Sequence, residues 1–431
     1  MLGGMRRSGH AAAPPSPWLV PVLFMAAGAA LQAFHHAPLH QTVENDFVGH
    51  AARAASWPAV FTLHGLYPCG YAFVLRLGTL LLADPFVAAR VIAVVSAGLS
   101  LRVAHALARD LFGPGAALAA QVLLALNWHF HETALLVGTD QLASLVALLA
   151  VRALAASLRD ATLPRAIVGG AWAGAAALVR QTALVLLPAF VLAVLWSALR
   201  GRGGRRQWLL AAVTVGAGLA VYAPQMALSW RATGTPFYQT QARNVWFGLH
   251  GEMDWSRTAG ERELSLIGIV RDDPRLFFTH WANETILGGI RLAAMTVGQF
   301  PPWLARRVGG MVPVVCGCLT GLAVLATLAS LRPRRLRGLA RRIVLPGGVA
   351  LFLILLVGGW TAAVGLAFST SRFLLTPWIV CAAGAVALFR SVCRPEDGRC
   401  DRRVALAQGA WLLTLLVNAG CVIWFTFRLG A

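Results

Sequence analysis

Lysine is absent from this chain of 431 residues, and acids are scarce: 17 Asp and Glu stand against 37 basic residues, all of them arginine. Only 13% of residues are charged, 58% are hydrophobic, and the mean hydropathy is +0.67. That poverty of charge excludes a soluble protein of two or three domains and describes an all-α polytopic membrane protein. The net charge of +20 does not mark a nucleic-acid binder, because the arginines sit in short clusters between apolar runs. Such clusters orient membrane spans, so no nucleic-acid partner is expected. A disulfide framework is lacking too. Cys316, Cys318, Cys381 and Cys421 lie in apolar runs, where cysteine acts as a small hydrophobe, and Cys393 and Cys400 lie in a basic loop assigned to the reducing cytosol. There is no internal repeat and no Gly-rich phosphate loop of the P-loop or dinucleotide type, which argues against an ATP-driven pump. No cleavable signal is evident; Trp18 to Phe34 is long enough to stay as a signal anchor.

What is present is a series of apolar runs. Residues 1–16 read as a cytosolic tail, and a first span covers roughly Pro17 to Phe34. Further runs follow at 69–83, 86–108, 115–130, 139–156, 166–179, 181–199, 208–228, 311–331, 343–367, 373–390 and 404–427. Most are close to the ~20 residues a helical crossing needs. If Cys69 to Ala83 crossed, Arg200–Arg206, Arg332–Arg342 and Arg390–Arg403 would all fall outside, against the positive-inside rule. Read as an interfacial or re-entrant segment, it leaves those clusters inside, together with Arg102, Arg109 and Arg152–Arg165. The count is then about eleven spans, with the amino terminus inside and the carboxyl terminus outside. Four regions follow: the tail 1–16, a module 17–228 with a first outer loop 35–85, an outer-face segment 229–308, and C-terminal spans 309–431. Trp230 to Val308 carries too few apolar residues for a large core of its own. It is expected to form loops and short interfacial helices, its tryptophans (Trp230, Trp246, Trp255, Trp281, Trp303) at the water–lipid boundary.

With this topology the polar outliers share the outer face. The first polar stretch, Gln41 to Tyr67, holds Glu44, Asp46, His50, Arg53 and His64. A carboxylate there can deprotonate an acceptor hydroxyl as a general base; it can also be a solvated charge, with Asp46 capping the short helix FVGHAARAA. Asp140, in GTDQLASLVALL, starts a span. There Thr139 or Asp140 caps the helix, and the carboxylate can in addition bind a cation or orient the base. Arg180 lies between two runs too short to carry it far from the membrane edge, and Arg372 in STSRFLLTP repeats the pattern. An arginine at membrane level is commonly partnered and functional. Two of them suit a lipid-linked phosphate held by bidentate hydrogen bonds, and snorkelling into headgroups is the plainer alternative. His64, Tyr67 and Tyr71 surround the turn HGLYPCGY. A metal shared by His64 with Glu44 or His250 lacks diagnostic spacing, and His129, His131 and Glu132 form only a weak metal-like cluster.

The ordered set of an outer-loop acid, HGLYPCGY, ALARDLFG, ALNWHFHETALLVGTDQLASLVALL, GGAWAGAAALVRQTALVLLP, WRATGTPFYQTQARNVWFG and SRFLLTP resembles integral-membrane glycosyltransferases of the GT-C type. Within them the chain looks most like the dolichyl-phosphate-mannose–protein mannosyltransferase and aminoarabinose transferase-like group of bacteria. The resemblance covers about residues 17–390. It implies a GT-C-like helical bundle and inverting transfer of a sugar from a polyprenyl-phosphate donor. The acceptor would be a lipid, a glycan or a protein, and the site would face the periplasm from the inner membrane. It puts the catalytic acid at Asp46, with Glu44 the other candidate because the chain reads Glu44-Asn45-Asp46 where many relatives have adjacent Asp-Glu. Asp140 falls at the family's second acid, and Arg180 and Arg372 fall where donor phosphate is held, with His64 and Tyr67 counted on the donor side. A divalent metal is left open and none is predicted. A transporter or flippase, the main alternative, would show paired halves with matching broken helices, and none is visible. A catalytically inactive relative acting as a scaffold is the third reading.

Overall fold

The computed structural model describes residues 16–34, 44–65, 67–135, 137–200, 204–238, 240–250, 265–296, 345–367, 371–393 and 402–428, with a few residues between 318 and 326. The tail 1–15, most of the expected span 311–331, the cluster Arg332–Arg342 and Cys400 lie outside the described residues. So do 251–264 and 297–308 of the outer segment. Every element among the described residues is helical.

The first helices are α1 (Leu19–Phe34), α2 (Glu44–Ala54), α3 (Trp57–Val60), α4 (Cys69–Leu82), α5 (Pro85–Phe112), α6 (Pro114–Ala125) and α7 (Trp128–Leu135). Then come α8 (Asp140–Asp160), α9 (Leu163–Val179), a 3₁₀ turn (Gln181–Val185), α10 (Leu186–Leu199) and α11 (Gly204–Thr233). The order continues with α12 (Gln241–His250), α13 (Leu266–Asp272), α14 (Pro274–Thr296) and α15 (Gly347–Gly365). A second 3₁₀ turn (Ser371–Leu374), α16 (Leu375–Cys393) and α17 (Arg402–Arg428) complete it. Among the described residues, six stretches are long and apolar enough to cross a membrane: α5, α8, Gln181–Leu199, α11, α15 and Arg372–Arg390. Shorter apolar helices, among them α1, α6 and α9, accompany them.

Local sequence explains the breaks. Asp84 caps α5 by accepting from the N–H groups of Phe86 and Val87 at 2.6 and 3.0 Å, with Pro85 at the first helical position. Gly113, at φ +90°, ends α5 and passes straight into Pro114 of α6. The run 115–130, expected as one span, is divided at Asn127. Its Oδ1 accepts from His129 N–H at 2.9 Å, and its Nδ2 donates to the Met295 carbonyl at 2.8 Å. α8 and α9 form an antiparallel pair, and α9 meets α11 through the G-x-x-x-G of Gly170 and Gly174. A Cβ on Gly170 would press on the Thr214 carbonyl, and one on Gly174 on that of Gly218, so the two backbones run nearly in contact. The main core is filled by Leu101, Phe130, Leu148, Phe190, Phe352 and Trp378. Exposed apolar residues such as Leu199, Ile354 and Leu406 form an oily outer surface, as lipid requires.

The two ends of the bundle differ. At one end Asp110 pairs with Arg109 and Arg152, Asp160 pairs with Arg159 and Arg165, and Arg390 donates to the Gly115 carbonyl. At the other lie Asp140, Arg180 and Arg372. Helix α4 lies across this second end: it meets Leu178 of α9 at Gly70, and Ala88 and Ile92 in the first turns of α5 at Gly78. The segment after Trp230 is more ordered into the bundle than its sparse apolar content suggested. α14 runs 23 residues, places Leu292 and Met295 in the main core, and donates from the Trp281 indole to the Ala362 carbonyl at 2.9 Å.

Candidate functional site at the Asp140–Arg180 end

The site is assembled on α2 and the turn behind it. Arg53, 6% exposed, turns its guanidinium inward and donates to the carbonyls of Tyr67 (2.9 Å), Pro68 (3.2 Å) and Val60 (3.1 Å). Arg76 on α4 donates to the Ala55 carbonyl at 3.0 Å, tying the far end of α2 down as well. Burial lowers the Arg53 pKa from its ordinary value.

Within this frame the Tyr67 N–H donates to His64 Nδ1 at 3.3 Å, and the two rings lie 4.8 Å apart. The turn is anchored on both sides: Thr240 N–H donates to the Gly65 carbonyl at 3.0 Å, and Cys69 N–H to Gln225 Oε1 of α11 at 3.1 Å. His50, 1% exposed, is held between the rings of Tyr67 and Tyr71, each 4.8 Å away. Its pKa is pushed down to about 3, first by burial and then by the charges of Arg53, His64 and Arg180. His50 is therefore a neutral imidazole at any working pH.

Asp140 and Arg180 meet from the ends of α8 and α9. Thr139 makes no side-chain cap bond, and the Asp140 carboxylate, 6% exposed, pairs with the Arg180 guanidinium, so the expected capping role gives way to an ion pair. The α9 helix stops because Arg180 is extended (φ −150°, ψ 119°), and the chain turns at once into the 3₁₀ turn, where Gln181 shares a hydrogen bond with Tyr222. Arg180 stands 4.4 Å over the Phe373 ring, and Arg372 lies 4.8 Å from the same ring. Phe373 is in turn fixed by the Trp360 indole, which donates to its carbonyl at 3.0 Å.

The structure thus brings Arg180 and Arg372 to one aromatic ring, with Asp140 paired to Arg180, beside the His64–Tyr67 turn. Glu44 and Asp46 lie in the first turn of α2, so Asp46 is inside the helix rather than its cap, and the side chains of both lie outside the described residues. The helical register places residue 46 one turn ahead of His50, on its face of α2. The weak metal-like cluster does not converge. His129 sits 3.6 Å from Glu132, whereas His131 bonds the Ala125 carbonyl at 2.6 Å and packs on Phe24. Among the described residues no three His, Cys, Asp or Glu come together as a metal site. Arg53 and Phe373 carry much of the arrangement and were given no role from sequence.

The arrangement is that of a multi-pass helical protein with a charged, aromatic-lined site at one end of its bundle. Residues 67–230 match the family described as dolichyl-phosphate-mannose-protein mannosyltransferase, and over that stretch the resemblance read from the sequence is borne out. No curated protein matches the chain. Among solved structures, the Archaeoglobus fulgidus oligosaccharyltransferase in complex with Zn and sulfate is 14% identical, with a TM-score of 0.54, over 94% of this chain and 53% of that one. The archaeal enzyme AglB from the same organism, in complex with an inhibitory peptide and a dolichol-phosphate, is 14% identical with a TM-score of 0.50, over 94% and 56%. ArnT from Cupriavidus metallidurans, bound to undecaprenyl phosphate, is 17% identical over 80% and 76%, at a TM-score of 0.40 too loose to argue from. The chain spans about half the length of the archaeal structures. At these identities the likeness is one of fold: the helical bundle is GT-C-like.

Proposed function

We propose that the protein transfers a sugar from a polyprenyl-phosphate donor to an acceptor at the outer face of the membrane, with inversion at the anomeric carbon. The observation that carries this reading is the meeting of Arg180 and Arg372 on Phe373, with Asp140 paired to Arg180, beside the helix that bears Asp46. Asp46 takes the acceptor hydroxyl proton as the oxygen attacks the anomeric carbon; Glu44 is the alternative base. The bond from that carbon to the phosphate oxygen breaks, and both its electrons leave with the polyprenyl phosphate.

The donor phosphodiester carries one negative charge, and the departing monoester gains a second as the bond breaks. Two guanidiniums therefore bind the transition state more strongly than the ground state, which is the condition for catalysis. Asp140 keeps Arg180 oriented until phosphate arrives, and His64 and Tyr67 line the donor side. The transferase module is residues 17–228, and the segment 229–308 shapes acceptor access. The donor's long isoprenoid chain stays in lipid, which is why the cations sit at the bundle's end.

The test uses purified protein, polyprenyl-phosphate sugars and a crude membrane acceptor fraction, comparing wild type with Asp46→Asn. Transfer lost in the variant, with melting temperature and donor binding kept, supports the reading. Persistent transfer moves the base to Glu44. Absence of any donor binding or transfer in wild type overturns the proposal in favour of a transporter or flippase.

A further inference from the structure

A second charged feature lies at the opposite end of the bundle and plays no part in that reaction. A cavity of about 190 Å³ is walled by Leu107, Leu111 and Val349, with Asp110, Arg152 and Arg159 at its polar side. It is formed by the last turns of α5, the second half of α8 and the start of α15. Residues 140 and 159 are separated by nineteen helical rises, about 28 Å, so the cavity and the Asp140–Arg180 pair sit near opposite membrane surfaces.

The cations of the cavity outnumber its acid. Asp110 takes Arg152 Nε at 2.7 Å and Arg109 Nε at 3.7 Å, and its backbone carbonyl accepts from Arg159 at 3.1 Å. Arg159 also donates from Nε to Asp160 at 3.0 Å, and the side chains of both Arg152 and Arg159 remain 41% exposed, so each still presents a charged face to the surface. Arg102 adds its charge from two turns earlier on α5. Pro346, at the start of α15, supplies no side-chain cap, so the positive end of that helix also faces the rim. A phosphate ester suits the exposed faces of Arg152 and Arg159, and the apolar wall beside them matches a hydrocarbon chain. Basic pockets between spans on the arginine-rich side suit anionic headgroups.

We propose that this cavity binds the phosphate of an anionic phospholipid in the leaflet at the arginine-rich end, its acyl chain lying along Leu107, Leu111 and Val349. Purified protein in neutral detergent is titrated with phosphatidylglycerol, phosphatidylcholine or inorganic phosphate, and bound ligand is read by native mass spectrometry. The variants are Arg159→Gln, the cavity-filling Ala156→Phe, and, as a charge control, Arg200→Gln, at an arginine that stacks on Trp196 away from the cavity lining. Phosphatidylglycerol is expected to bind more tightly than phosphatidylcholine. Arg159→Gln should weaken it about fivefold, the worth of one arginine near an anionic surface. Ala156→Phe should abolish it and Arg200→Gln should leave it unchanged; should Ala156→Phe not fold, the comparison of Arg159→Gln with Arg200→Gln decides alone. Equal binding of the two lipids, equal loss in the Arg159 and Arg200 variants, or inorganic phosphate displacing the lipid at equal concentration each overturns the proposal.

Discussion

Replacing Arg53 with methionine should loosen the whole turn that carries His64 and Tyr67. The guanidinium makes three bonds to main-chain carbonyls, at Val60, Tyr67 and Pro68. Hydrogen bonds to a charged group each contribute about 1.5–3 kcal/mol net. Water reaching the freed carbonyls recovers part of their sum, so the expected loss is about 4 kcal/mol in the free energy that keeps the turn closed. Protection against amide exchange should then fall about a thousandfold at Tyr67, Cys69 and Thr240, whose N–H groups hold the turn. Arg53→Lys should recover little, because one ammonium on a flexible stem cannot match a planar fork aimed at three acceptors. Exchange mass spectrometry on peptides covering 60–72 and 240–250 reads the effect. Unchanged protection in Arg53→Met would show that the turn is held by its neighbours and that the argument from Arg53 is mistaken.

Asp140→Asn should lower stability by about 2–3 kcal/mol, less than a fully buried broken pair costs because Arg180 keeps some solvent. The double variant Asp140→Asn/Arg180→Gln should be less destabilised than the sum of the two singles; strict additivity of melting shifts in detergent would remove the ion pair from the account. His50 has a folded pKa of about 3 against 6.5 unfolded, so the unfolded chain binds the proton first as pH falls. Its contribution is whole above pH 6.5 and is lost toward pH 3, by about 1.4 kcal/mol per unit for one proton. His50→Phe should therefore flatten the acid side of the stability curve, and an unaltered curve would deny that burial. Gly170→Leu should prevent α9 and α11 from closing and yield aggregated protein on size exclusion, since its side chain would meet the Thr214 carbonyl.

The charges of this chain were readable before the fold because its background is so apolar. Arg180, Arg372 and Asp140 stand out in oily runs, and the structure brings all three together. Phe373 did not stand out: an aromatic ring inside SRFLLTP looks like any core residue until two guanidiniums are found on it. Arg53 was hidden for the opposite reason, since an arginine among alanines on a polar helix reads as solvated and its acceptors lie 7 to 15 residues ahead. The break at Asn127 depends on a carbonyl of α14 that no local pattern encodes. α14 itself was underestimated because its charges masked the apolar spacing that carries Leu292 and Met295 into the core.

Arg180 is the sole residue between α9 and the turn that opens α10, and this brevity governs how the cation behaves. A charge on a long loop spends conformational freedom each time it captures an anion. Here that freedom is spent once, in folding, because two packed helices fix the backbone on either side. The guanidinium can pivot about its own side chain but cannot travel. Any anion that Arg180 takes must therefore come to a stationary charge, and it is the anion, not the arginine's backbone, that does the travelling.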